Sequence, residues 1–260
     1  MMNNMTPVVK QLLIINIIVF IGAQLMGGNP IEANAAYRQL SLFYFENPNF
    51  KIWQPVTSMF MHAPFPNIMH IAFNMIALVS FGSMLEHFWG GTKFLIFYFV
   101  CGLGAFLMHT GVNYYFYHEG VTYMTSLGLG DRIPEFLSSG TFKYPTNISI
   151  DNQVLGNMID AYNGTAVGAS GAIYGLLVAF AFMFPMAELA LFFIPVPIKA
   201  KYFVPGLIAV DLFLGLKGSS LFGDNSGGGI AHFAHIGGAL LGFIMMMSWR
   251  KNKFQNNRWN

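Results

Sequence analysis

The chain has 260 residues, of which 55 % are apolar and 9 % charged, with a net charge of +2. Soluble domains carry about 25 % charged residues, so this composition excludes a surface wholly covered by water and implies one that faces lipid. The small net charge gives no reason to expect nucleic acid as a partner, and a lone cysteine, Cys101, excludes an internal disulfide framework and any CxxC metal site.

A helix needs about 20 mostly apolar residues to cross a bilayer. Lipid offers no partner for a free backbone N–H or C=O, so every span must be helical. Six stretches qualify, at about residues 8–26, 68–88, 94–115, 167–186, 202–216 and 230–249. The fifth is short and could begin near Phe193. The first reads as a retained helix rather than a cleaved signal peptide. Lys10 is its lone early basic residue, and the polar segment before Ala33 is too long to follow an apolar core directly. The expected fold is an all-α integral membrane protein, a six-transmembrane-helix bundle over residues 1–250 with a polar cytoplasmic tail at 251–260.

Basic residues set the orientation. With six spans, Lys10, Lys93, Lys199, Lys201, Arg250, Lys251, Lys253 and Arg258 share one side, and Arg38, Lys51, Arg132, Lys143 and Lys217 the other. The excess places both termini in the cytoplasm. Outside lie residues 27–54, whose aromatic rings (Phe43, Tyr44, Phe45, Phe50, Trp53) suit an interfacial loop. Also outside is a polar insertion at about 116–165, between the third and fourth spans, with room for short helices. A glycine-rich stretch, 217–229, reads as a mobile cap.

Polar groups inside a membrane are costly, so each is a functional candidate. The second span carries His70 and Asn74, four residues apart and therefore on one face, with His62 just upstream. The fourth opens with Gly168-Ala169-Ser170-Gly171, which places Ser170 about one turn into the span. Tyr174 shares its face. The sixth carries Ala231-His232-Phe233-Ala234-His235, then Gly238 and Gly242. Ala234, Gly238 and Gly242 form one small-residue face, and Gly168, Gly171 and Gly175 another. Packed together, two such faces bring His235 near Ser170 at matching depth. A serine hydroxyl needs a base to take its proton, and histidine is the usual one. His70, Asn74 and the Ser170 N–H could then donate to an oxyanion. Taken singly, each cluster also reads as packing or interhelical hydrogen bonding, and Cys101 as a small apolar residue.

Seven histidines invite a metal. There is no H-E-x-x-H, and no carboxylate stands beside His70, His232 or His235 in the sequence. His87, His109 and His118 read as interfacial. No metal or cofactor is expected. Asp211, in the fifth span, reads as a structural acid or a partner of Lys217. Spacing does not place it near His235.

Together the motifs His70-x-x-x-Asn74, Gly168-x-Ser170-Gly171 and Ala234-His235-x-x-Gly238-x-x-x-Gly242 resemble the rhomboid family of intramembrane serine proteases, in its bacterial six-helix form. The resemblance runs over nearly the whole chain to about Arg250. It implies Ser170 as nucleophile and His235 as general base and then acid, a dyad without a carboxylate. It implies an oxyanion hole of His70, Asn74 and the Ser170 N–H. Gly168 would precede the nucleophile, Tyr174 would stack on His235, and His62 would have a structural role. Substrates would be single-span membrane proteins, cut in or near the bilayer of the bacterial plasma membrane. Many relatives have Trp-Arg in the first outer loop where this chain has Trp53-Gln54, which puts that loop's geometry in question. A catalytically silent relative would lack the serine or the histidine. A transporter would rest on Asp211 alone.

Overall fold

The computed structural model describes residues 5–27, 34–191, 194–218 and 228–256. Among these, four helices are long and apolar enough to cross a bilayer. Helix α1, Pro7–Leu25, starts behind Thr6 with proline in its first turn, where the missing N–H costs nothing. Its Ile14, Ile15, Ile17, Ile18 and Ile21 are all exposed, a ridge suited to lipid. Short helices α2, Ala35–Leu40, and α3, Gln54–Thr57, follow in the first outer loop. Helix α4, Ile68–Trp89, contains a wider π-type turn at Leu78–Gly82 and stops at Gly90, φ 78°.

Helix α5, Gly91–Ser126, has 36 residues. The expected third span ends at residue 115, but the helix continues into the segment read as an insertion. At about 1.5 Å per residue it is about 54 Å long, well beyond the roughly 30 Å of hydrocarbon. Its outer end packs with α6, Ile133–Ser139, and α7, Asn152–Asn163, through Met124, Leu129, Phe136, Leu155 and Met158. Asp151 caps α7 by accepting from the N–H groups of Gln153 and Val154.

Helix α8, Ser170–Met183, is shorter than the 18 residues of a full span. Strands β1, Glu188–Leu191, and β2, Ile194–Lys199, then form an antiparallel hairpin. The sequence reading contains no strand. Pro195 and Pro197 forbid helix here, so the next helix, α9, starts at Ala200 rather than near Phe193. It runs to Lys217 with Lys201, Asp211 and Lys217 along it. Helix α10, Gly228–Asn256, continues six residues into the expected polar tail. The cap stretch falls, for residues 219–227, outside the described residues.

Small residues bring α5, α8 and α10 into contact. A Cβ on Gly238 would collide with the Gly171 carbonyl, and one on Gly242 would lie 2.7 Å from Gly175 Cα. Gly171 and Gly175 press on Ala105 and Cys101 of α5. Cys101 is buried and unbonded, a packing residue in that seam. At the other end of the bundle Glu86 of α4 accepts hydrogen bonds from the Val8 N–H (3.0 Å), the Val9 N–H (2.8 Å) and the Thr6 hydroxyl (2.5 Å). A carboxylate there satisfies orphan donors and opposes the positive end of the α1 dipole.

The first outer loop is closed by Gln54. Its side chain is fully buried, accepts from the N–H groups of Phe43 and Lys51, and donates to the carbonyls of Arg38 and Asn49. One amide thus gathers four backbone groups at the position after Trp53. The loop also joins the outer helices, through paired N–H···O bonds between Leu42 and Ala166 and through Asn47 donating to the Tyr162 carbonyl.

Candidate active site

Ser170 is the first residue of α8, not a turn inside it. Gly168, at φ 124°, turns the chain sharply just before, so the helix cannot start earlier. The Ile173 N–H is bonded to the Ala169 carbonyl, which leaves the N–H groups of residues 170–172 without intrahelical partners at a positive helix end. The Gly168 N–H is fixed by the Ser58 carbonyl at 2.9 Å.

His235 enters from α10. Its Nε2 lies 2.9 Å from Ser170 Oγ, and both residues are half-buried. Tyr174, one turn along α8, stacks on the imidazole with centroids 4.3 Å apart and planes at 8°. A hydroxyl at this distance from an imidazole nitrogen can pass it a proton.

The other wall comes from α4 and the segment before it. The Ala63 N–H donates to His70 Nδ1 at 3.1 Å, so in the neutral ring Nε2 carries the hydrogen. A Cβ on Gly168 would lie 3.2 Å from that Nε2 and 3.5 Å from Ser170 Oγ. Only glycine leaves the gap between these two groups open. Asn74 is buried, with Nδ2 donating to the His70 carbonyl at 2.7 Å and Oδ1 without a partner. His62 sits behind His70, ring centroids 5.3 Å apart. Its Nε2 donates to Asn16 Oδ1 at 2.8 Å, and its carbonyl accepts from the Tyr37 hydroxyl at 2.6 Å. Burial first, and then the neighbouring His70, hold the His62 pKa down at about 3, so this ring is neutral at physiological pH.

Ser170, His235, Tyr174, Gly168 and His70 thus meet at one place, and Asn74 lies one turn along α4 from His70. Gly238 and Gly242 set how closely α10 approaches α8, and His62 supports His70 from behind. Three details correct the sequence reading. Asp211 of α9 is buried against His232 and His235, while Lys217 lies over the Phe213 ring. No spacing in sequence could show this, because the register between α9 and α10 is set only by packing. A carboxylate therefore does stand beside two histidines. His109, read as interfacial, is buried and accepts from Asn113 Nδ2 at 3.1 Å.

Apolar helices that enclose a serine hydroxyl against an imidazole define the class, a multi-pass membrane hydrolase of the serine type. A family model described as Rhomboid domain matches residues 49–252, and the chain belongs to the rhomboid family of intramembrane proteases. It is 25 % identical over 247 residues to Rhomboid protease AarA of Providencia stuartii, across 92 % of this chain and 70 % of that protein. It is 26 % identical over 138 residues to the mitochondrial Rhomboid protein 1 of Saccharomyces cerevisiae, across 50 % of this chain and 37 % of that protein.

Proposed function

We propose that the chain cleaves single-span membrane proteins in or near the bilayer, with Ser170 as nucleophile and His235 as general base and acid. The observation that carries this is the 2.9 Å contact between Ser170 Oγ and His235 Nε2 at the start of a buried helix. The hydroxyl proton moves to Nε2 as Oγ attacks the scissile carbonyl. The oxyanion that forms accepts hydrogen bonds from the Ser170 N–H, His70 Nε2–H and the free hydrogen of Asn74 Nδ2. Collapse passes the proton from Nε2 to the leaving amine. Water, activated by the same nitrogen, then releases the acyl group. A helical peptide bond is shielded by its own hydrogen bonds, so substrates that unwind easily near the cut are favoured.

On this reading residues 1–250 form six spans, α8 and α9 supplying the fourth and fifth, and both termini lie in the cytoplasm of a bacterial cell. The topology is supported by Lys93, whose Nζ lies 4.1 Å from the Trp249 ring centre, and by Trp89 packed on Trp249. Such Trp–Lys clusters favour the membrane–water boundary.

The test is labelling of detergent-purified protein with a fluorophosphonate, alongside cleavage of a model single-span substrate. Label and cleavage should both vanish in Ser170→Ala and in His235→Ala. Label that persists on Ser170 without His235 would sink the proton-transfer role, and an unlabelled, inactive wild type would sink the protease.

A further inference from the structure

We infer that Asp211 is a third member of the Ser170–His235 pair, a positioning residue that holds a proton on His235 Nδ1 and keeps Nε2 free to accept the serine's. The inference rests on the protease reading above. Asp211 is buried in α9. Its Oδ1 accepts from His232 Nδ1, and its Oδ2 lies 3.4 Å from His235 Nδ1. Neither Asp211 Oδ2 nor His235 Nδ1 makes a hydrogen bond of ordinary geometry, both are buried, and the Tyr174 hydroxyl also faces the Asp211 carboxylate. Buried polar atoms without partners are costly. These two satisfy each other with a closure of a few tenths of an ångström toward ordinary hydrogen-bond length.

The tautomer follows from the same geometry. With its proton on Nε2, His235 would present a lone pair from Nδ1 to a carboxylate oxygen, two acceptors facing each other in a buried site. With its proton on Nδ1, it donates to Asp211 and offers Nε2 to Ser170, which is the form a general base needs. Asp211 Oδ1 is taken by His232, so Oδ2 is the oxygen left to face His235. The groups facing His235 are Ser170, Asp211, the stacked Tyr174, His232 (ring centroids 6.2 Å away) and, from α4, His70. Tyr174 confines the ring to its own plane. His232 occupies one carboxylate oxygen and so aims the other.

In the reaction the Oγ proton moves to Nε2, the carboxylate stabilises the resulting imidazolium without taking its proton, and Nε2 passes that proton to the leaving amine. A rival use of the cluster is a divalent ion, since ligand atoms of Asp211, His232 and His235 all lie within 4.8 Å of one another. The direct His232–Asp211 bond favours the hydrogen-bonded arrangement.

Nitrogen NMR of histidine-labelled wild-type protein in detergent reads the tautomer without any variant, with His235→Gln used for assignment. A neutral His235 protonated on Nδ1 is expected, with a low-field N–H signal that disappears in Asp211→Asn. A ring protonated on Nε2 overturns the inference. In cleavage assays Asp211→Asn should lower kcat by about 10²–10⁴-fold with KM little changed, and Asp211→Glu should recover part of the loss. An unchanged kcat, or a loss confined to KM, also overturns it. EDTA should leave wild-type activity and the signal unchanged. If EDTA reproduces the Asp211→Asn behaviour, the cluster is a metal site instead. Fluorophosphonate labelling of wild type separates the levels. Labelled protein with the wrong tautomer sinks this inference alone, whereas unlabelled protein sinks the protease reading and leaves the tautomer measurable.

Discussion

Two polar clusters flank Ser170, and they are built differently. On the α1 and α4 side the links end on backbone. Asn16 donates to the Leu12 carbonyl, Tyr37 to the His62 carbonyl, and the Ala63 N–H to His70. On the α9 and α10 side Asp211, His232 and His235 meet side chain to side chain. Backbone links fix a position, because the backbone has one arrangement in the folded state. Side-chain links leave protons free to move. The residues behind His70 read as scaffold and the second cluster as machinery, so damage to them should appear in different measurements.

The largest effect belongs to the machinery. His235→Ala should lower kcat by about 10⁴-fold or more, and adding Ser170→Ala should cost little further, because the two act as a unit. Thermal unfolding in detergent should be nearly unchanged. A large drop in stability would erase the distinction between the clusters.

Next comes the seam that joins them. Gly238→Val drives a side chain into the Gly171 carbonyl, and the helices must separate. A stability loss of about 3 kcal/mol is expected, with activity lost as the Ser170–His235 distance grows. Near-native melting and turnover would show that the seam does not set that distance.

The scaffold should fail the other way. Asn16→Ala leaves buried His62 Nε2 without its acceptor, at a cost of about 2 kcal/mol. The protein that remains folded should keep most of its kcat. A loss of kcat at full stability would move His62 into the machinery.

The smallest effect is on pH. The His62 pKa is lowered in the folded state to about 3, against 6.5 unfolded. The unfolded chain therefore takes up a proton near pH 6.5 and the folded chain does not. This neutral histidine costs nothing above pH 6.5, and stability falls as pH drops below it, by about 1.4 kcal/mol at pH 5.5. Comparing urea unfolding of wild type and His62→Gln between pH 7.5 and 5.5 isolates this term. Identical pH dependence in the two would show that His62 titrates alike in the folded and unfolded chain.

Much of this was legible in the sequence for a physical reason. Apolar run length fixes where helices can cross lipid, and small residues at four-residue spacing mark where two can touch. The approach of α10 to α8 could be read from Gly171, Gly175, Gly238 and Gly242. What sequence could not reveal depends on register or on backbone turns. Ser170 opens α8 because of the turn at Gly168. The α5 helix outruns its apolar stretch because α6 and α7 cover its polar end. Gln54 closes its loop by an amide, where the expectation concerned the guanidinium of a Trp-Arg pair. Asp211 is the clearest case, since a lone acid carries no mark of which neighbour will face it.

The wide turn at Leu78–Gly82 in α4 has a consequence of its own. Each α-helical residue advances the chain by about 100°, and a π-type turn holds one more residue than a regular turn would. It absorbs one residue between two ends of one rod without turning one end against the other. Before it, Asn74 lies buried one turn from His70; after it, Glu86 reaches the start of α1. Deleting one residue from this turn would keep the rod apolar and long enough to span. The turn would become a regular one and the two groups would keep their phase, whereas deleting a residue from the regular helix on either side would swing one of them by about 100°.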